Sequence, residues 1–94
     1  MYLICYDISS NKYRKKVADT LLNYGKRVQY SVFECNLNKA KYQRLYSELE
    51  RIVKQCGGEI NIRIFAIRKE DYAKTAILGI PDFILEDPKD VIVI

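Results

Sequence analysis

The strand-like segments of this sequence are apolar on both of their faces, yet only two segments carry helical periodicity. In the run Tyr2–Ile8, Ile4, Tyr6 and Ile8 fall on one face while Leu3 and Cys5 fall on the other. Successive side chains of a strand point to opposite sides, so both faces of such a strand have to be covered. Two helices cover one face of a small sheet. The other face is expected to be covered by a second copy of the chain, since closed two-fold association is the commonest oligomeric solution. The closing run Val91-Ile92-Val93-Ile94 is again apolar on both faces and, as an unprotected edge, invites pairing with another chain. Patterning alone therefore predicts a homodimer.

The first helix is expected after Ser9, Ser10 and Asn11, which supply turn and capping groups. Tyr13, Val17, Leu21 and Tyr24 follow at helical spacing, with Gly25 as a left-handed stop. Residues 27–37 are β-rich and form either one long strand or two strands broken near Tyr30-Ser31; no Gly or Pro decides between them. Asn38 is placed to cap a second helix. Its apolar stripe is Tyr42, Leu45, Tyr46, Leu49, Ile52, Val53 and Cys56, and Gly57-Gly58 ends it. Residues 60–67 return as a strand, residues 75–78 suggest a short one, and Val91–Ile94 a last one. The order β-α-β(β)-α-β-β is that of a ferredoxin-like α+β sandwich with an extra C-terminal strand. Residues 79–94 form its tail, expected to contact the dimer mate or a partner.

A chain of 94 residues, 49% of them hydrophobic and 30% charged, is one ordered domain, short enough to lean on association for stability. No stretch approaches the roughly 20 apolar residues that cross a bilayer, so no membrane partner is expected. The opening residues lack the basic segment and small-residue cleavage site of a signal peptide. Cys5, Cys35 and Cys56 form no CxxC pair and the sequence has no histidine. They read as reduced, small hydrophobes of a cytoplasmic protein, and a zinc cage is disfavoured.

The formal charge of +4 is unevenly spread. Lys12, Arg14, Lys15, Lys16, Lys26 and Arg27 face a single Asp19, whereas Asp82, Glu86, Asp87 and Asp90 in the tail face only Lys89. The basic half reads either as a footprint for a polyanion or as a solvated helix face. Arg14, Lys16 and Arg27 are the natural phosphate contacts. Ser31 and Phe33 share a strand alternation with Arg27 and Gln29, and Phe33 reads either as core or as a platform for a base.

Asp7 interrupts an apolar strand near its end. It reads as a turn cap, or as a functional carboxylate on the face that a second copy covers. A two-fold axis through that face brings two such carboxylates together. Paired carboxylates share a proton or hold a hard cation, and Mg²⁺ needs only one or two of them with waters and phosphates. Such a cation polarises a phosphate and acidifies water, which matters in a chain with no histidine to act as base. Glu34, the other strand acid, has no evident partner.

The run Tyr2-Leu-Ile-Cys-Tyr-Asp-Ile-Ser, a helix with Arg14 and Val17, and Arg27-Val-Gln-Tyr-Ser-Val-Phe-Glu-Cys resemble the second of the two universal CRISPR-associated adaptation proteins. The strand Ile60-Asn-Ile-Arg-Ile-Phe-Ala-Ile and Ile77-Leu-Gly fit as well, so the resemblance spans nearly the whole chain. It implies a ferredoxin-like homodimer in which Asp7 binds catalytic Mg²⁺, with Mn²⁺ as a substitute. The implied activity is metal-dependent endonucleolytic cleavage of RNA or DNA. The implied partners are dimers of the CRISPR integrase, with which such proteins take part in acquiring spacer DNA. Residue by residue the resemblance gives a site of Tyr6, Asp7, Arg14, Arg27, Ser31 and Phe33, with Tyr6 and Asp7 catalytic; Lys16 stands where some members carry Arg. Two alternatives are a non-catalytic DNA-binding scaffold of the integration complex and a toxin ribonuclease of the VapD type. A small-ligand regulatory module is disfavoured by the basic helix and the absence of a Gly-rich ligand loop.

Overall fold

The computed structural model describes residues 1–79. β1 (Tyr2–Ile8) leads into α1 (Asn11–Leu22), β2 (Lys26–Gln29), β3 (Val32–Cys35), α2 (Lys39–Cys56), β4 (Ile60–Ala66) and the short α3 (Lys69–Tyr72). The four strands form one sheet in the order β2-β3-β1-β4, with every neighbouring pair antiparallel. β1 lies inside the sheet. It pairs with β3 from Tyr2↔Cys35 to Cys5↔Val32 and with β4 from Tyr2↔Ala66 to Ile8↔Ile60.

The caps follow the sequence closely. The Ser10 hydroxyl accepts from the Tyr13 amide at 3.3 Å, and Asn38 Oδ1 accepts from the Lys41 amide at 2.8 Å. Each satisfies an amide that the first turn of its helix leaves without an internal partner. Gly57 ends α2 with φ of 61°, the left-handed region that glycine enters without a Cβ penalty.

Gly25 departs from expectation. α1 ends on Asn23 in right-handed geometry, and Gly25 is not among the positive-φ glycines of the described residues. What requires glycine there is proximity. A Cβ would clash with the Glu34 carbonyl oxygen and lie 2.6 Å from Cys35 Sγ.

The β-rich run resolves as two strands, β2 and β3, with an irregular register between Arg27 and Gln29. The turn between them contains no glycine because the central strand holds its carbonyls. The Tyr6 amide donates to the Ser31 carbonyl at 3.1 Å, and the Tyr6 hydroxyl donates to the Tyr30 carbonyl at 3.2 Å.

The core forms between one sheet face and the two long helices. Ile4, Tyr6 and Ile8 of β1, Phe33 and Cys35 of β3, Val17, Ala18 and Leu21 of α1, and Leu45, Leu49 and Ile52 of α2 are all buried. Ile60, Ile62 and Ile64 of β4 pack against them. The buried stripe of α2 is narrower than its apolar periodicity predicted, for Tyr46 and Val53 stay exposed. Burial pushes the Cys35 thiol up to about 11, so it behaves as a core hydrophobe.

The opposite sheet face carries Leu3, Cys5 and Asp7 of β1. The register places Val32 and Glu34 of β3, Lys26 of β2, and Asn61, Arg63 and Phe65 of β4 beside them. Phe65 is 46% exposed. α3, for which the sequence carried no apolar period, reaches this face. Its Tyr72 hydroxyl donates to Glu34 Oε1 at 2.9 Å, giving that carboxylate a partner the sequence did not reveal. Acidic Glu70 and Asp71 suit the first turn of α3, and Arg68 pairs with Asp71 at 3.0 Å. The short strand expected over residues 75–78 does not form; Ile77 and Leu78 are exposed. A strand exists only where a neighbour completes its ladder, and propensity alone supplies none. The tail charges and the final Val91–Ile94 strand lie outside the described residues.

Crowding at Gly25 yields the first expectation. Gly25→Ala must push β3 away from the end of α1, an overpacking change that costs about 1–3 kcal/mol. The melting temperature should fall by roughly 4–8 °C per kcal/mol. An unchanged melting curve would contradict the close approach of Gly25 to Glu34 and Cys35.

Candidate functional site

Side-chain alternation along β1 sends Tyr6 and Asp7 to opposite faces of the sheet. Tyr6 is buried on the helix side and Asp7 is exposed on the other. Asp7 pairs with Asn61 of β4 and lies beyond the last β1–β3 pair, Cys5↔Val32. Among the described residues no side chain bonds its carboxylate. The turn-cap reading is not met, because Ser10 caps α1. What remains is an accessible carboxylate at a strand end, on the face that carries Leu3 and Cys5. Among the described residues no cluster of three acidic, thiol or imidazole groups is poised to hold a metal. On this face the described residues offer a cation the strand-end carboxylate of Asp7. That donor fits the oxygen coordination of Mg²⁺, with further oxygens coming from a second carboxylate, water or phosphate.

On the helix side, Tyr6, Asn11, Arg14, Lys15, Ala18, Asp19, Leu22, Arg27, Tyr30 and Ser31 line an open cleft of about 550 Å³. The Tyr6 hydroxyl organises it. Arg27 Nη2 donates to that hydroxyl at 3.4 Å, and the hydroxyl in turn donates to the Tyr30 carbonyl. The Arg27 guanidinium stacks over Phe33, 5.1 Å from the ring centroid. Its Nε is buried without a hydrogen-bond partner.

Arg14 is more committed. Its Nη1 donates to the Ile8 carbonyl at 2.8 Å and its Nη2 to Asn11 Oδ1, so it ties the end of β1 to the start of α1. Lys15 pairs with Asp19 at 2.8 Å, both well exposed. Surface pairs of this kind contribute little, so Lys15 can exchange its partner at small cost.

The residues expected to form one site thus divide among four places. Tyr6, Arg14, Arg27 and Ser31 share the cleft. Asp7 lies on the far face, so the Tyr6 hydroxyl does not join it in a catalytic pair within one subunit. Lys16 points toward the end of α2, where Nζ meets Gln55 Oε1 at 3.3 Å and lies over the Tyr13 ring. Phe33 has no exposed surface; it cannot stack on a base and instead supports Arg27 from below. Tyr30 was not singled out by sequence. Its neighbours in the run offered no signal, because an exposed turn and a continuous strand look alike there.

An antiparallel α+β domain with a strand-end carboxylate on one face and an arginine-lined cleft on the other is the class that fold and site define. The family model of the CRISPR associated protein Cas2 matches residues 1–75, and the chain belongs to that family. It is 40% identical over 93 residues to the CRISPR-associated endoribonuclease Cas2 3 of Synechocystis sp., covering 99% of this chain and 98% of that one. It is also 40% identical over 78 residues to the CRISPR-associated endoribonuclease Cas2 1 of Chloroflexus aurantiacus, covering 83% of each. Among solved structures, Streptococcus pyogenes Cas2 aligns with a TM-score of 0.70 at 29% identity, over 83% of this chain and 98% of that one. A chain of a partial Cas6-RT-Cas1–Cas2 complex aligns with a TM-score of 0.73 at 34% identity, over 82% of this chain and 88% of that one. No helix of the described residues is long and apolar enough to cross a membrane.

Tyr6→Phe tests the organising hydroxyl. It leaves the ring in the core but strips a donor from the Tyr30 carbonyl and an acceptor from Arg27. The expected loss is about 0.5–1.5 kcal/mol, read by urea denaturation. A variant as stable as the parent would show that the hydroxyl does not hold the cleft together.

Proposed function

We propose that the chain works as a ferredoxin-like homodimer in CRISPR adaptation, gripping nucleic acid beside the CRISPR integrase while spacer DNA is acquired. Cleavage of a phosphodiester at Asp7 is its intrinsic activity. The observation that carries this reading is the exposed Asp7 carboxylate, without a bonding side chain among the described residues, in a chain of the Cas2 family. Relatives named as endoribonucleases support the cleavage, and a similar chain found in a Cas6-RT-Cas1–Cas2 complex supports the integrase as partner. Family membership weighs against the VapD-type toxin alternative.

Asp7 from each of two subunits, with water and the substrate phosphate, would hold Mg²⁺ or Mn²⁺. When bound, the cation supplies charge neutralisation at the scissile phosphate and a lowered pKa for water. The chain's own residues do the rest. The Asp7 carboxylate supplies the negative oxygen donors that would face the cation, and the cleft cations hold the strand by its phosphates. RNA and DNA both present this backbone chemistry.

A second reading, the non-catalytic scaffold, is favoured by one specific feature: among the described residues each chain offers no three-ligand metal cluster. Asp7→Asn separates the two. The substitution removes charge and nearly preserves shape, so the dimer should persist by light scattering. Cleavage should vanish, and Mg²⁺ should no longer raise the melting temperature, an effect that requires binding to the folded state. Metal-dependent cleavage retained by a rigorously purified variant would exclude the catalytic role. Lost cleavage with normal spacer acquisition would assign the biological role to the scaffold.

Binding itself should weaken with salt, with a log–log slope of roughly −0.9 per phosphate contacted on duplex. A slope near zero would return the basic half to a solvated surface.

A further inference from the structure

Arg14 and Arg27 line the cleft on the helix side of the sheet, whereas Asp7 is exposed on the other side. A phosphate brought to Asp7 therefore needs a cation on Asp7's own face, and the strand register supplies one. On β4, Asn61 is the direct partner of Asp7, and Arg63 is the partner of Cys5. Alternation puts Cys5, Asp7, Asn61 and Arg63 on one face, with Arg63 the diagonal neighbour of Asp7. Diagonal neighbours on paired strands stand roughly 7–8 Å apart, within reach of a long side chain.

Both residues are exposed, and among the described residues neither side chain makes a hydrogen bond or an ion pair. The neighbouring carboxylates are engaged elsewhere. Glu34 accepts from the Tyr72 hydroxyl at 2.9 Å, and Glu59 accepts from the Ser9 hydroxyl at 3.2 Å. Lys26 lies on the edge strand β2, opposite Glu34, with β3 between it and β1. Arg63 is thus the cation that the described strands place beside Asp7. Once a second copy covers this face, a guanidinium held there without a counter-charge is costly. A substrate phosphate supplies that charge.

We propose that Arg63 is a second catalytic residue of the Asp7 site, gripping the non-bridging oxygens of the scissile phosphate. The inference rests on the reading of Asp7 as the place of cleavage and adds to it the group that binds the anion. A guanidinium presents its donors in a planar fork that matches two phosphate oxygens, and it stays protonated throughout. Arg63 therefore gives up no proton and forms no covalent bond. It stabilises the negative charge that grows on the phosphate oxygens as water attacks. Arg14 and Arg27 hold the strand from the other side of the sheet and do not share this role. Asp7 and Arg63 lie far apart in the chain and meet only through the pairing of β1 with β4.

The test compares Arg63→Gln and Arg63→Lys with Asp7→Asn in the full-length protein, on a fluorescently labelled single-stranded RNA and a labelled DNA duplex. Arg63→Gln should lower kcat by roughly 100- to 1000-fold on whichever substrate the parent cleaves, the range for loss of one preorganised donor to developing charge. KM should change little, because the cleft cations still hold the strand. Arg63→Lys should recover part of the loss, since it restores the charge but not the fork. A readout without turnover separates the two residues. Mg²⁺ should raise the melting temperature of Arg63→Gln at least as much as that of the parent, because a neighbouring positive charge has been removed. Asp7→Asn should show no such rise. Light scattering should find the parent's dimer in both Arg63 variants.

Arg63→Gln turning over at the parent's rate while Asp7→Asn is inactive would overturn the role of Arg63 and leave the Asp7 reading in place. A loss of activity that follows a loss of the dimer, in both Arg63 variants alike, would overturn it too, by making Arg63 an interface residue. So would a Mg²⁺ response lost in Arg63→Gln, which would make Arg63 a support for Asp7 and not a ligand of the phosphate. Cleavage retained by Asp7→Asn, or absent from the parent, would remove the underlying reading and the inference with it.

Discussion

β1 is hydrogen-bonded along both edges, to β3 over Tyr2–Cys5 and to β4 over its whole length. Its side-chain alternation therefore sets the character of both sheet faces. Ile4, Tyr6 and Ile8 fall under the helices, and Leu3, Cys5 and Asp7 fall on the side those helices leave. A register slip of one residue would exchange the two sets and drive Asp7 into the core, where an unpaired carboxylate is costly. The burial of Ile4 and Ile8 thus also keeps Asp7 available.

The cleft depends on the same strand. Tyr6 is a core aromatic whose hydroxyl reaches the edge of the core, where it joins Arg27 to the Tyr30 carbonyl. Its amide holds the next carbonyl of the turn. Together these bonds fix a turn that has neither glycine nor proline. Arg14 makes the complementary link on the other side, from α1 to the last residue of β1. An arginine committed to a backbone carbonyl is less free to follow a ligand than Arg27, whose Nη2 donates to the Tyr6 hydroxyl at 3.4 Å.

Much of the architecture was legible because it follows from local rules. Ser10, Asn38 and Gly57 mark helix ends through hydrogen bonds and a positive φ that need no distant partner. The period of two in Tyr2–Ile8 and the helical spacing of Val17 and Leu21 name the buried residues directly. Less legible was anything that depends on which side of a strand meets a helix. Phe33 and Arg27 share a face, as their spacing allows, but that this face is the closed one follows only from the register with Ile4. The glycine requirement at Gly25 also escapes local rules, for it arises from the backbone of Glu34 and Cys35 approaching from another element.

By itself the sequence determined the order of the main strands and helices, their caps, the two-faced apolar character of β1, and the residue types that can meet a phosphate or a cation. These are consequences of spacing and of single-residue chemistry. Tertiary structure alone decided which of those residues share a site. It parted Tyr6 from Asp7, turned Lys16 toward α2, closed Phe33 into the core and brought Tyr30 to the lip of the cleft beside Arg27. It gave Glu34 a partner in Tyr72 as well. The reason is physical: side-chain direction follows from each residue's own backbone, but neighbours are set by the pairing of strands and the helices that close over one face.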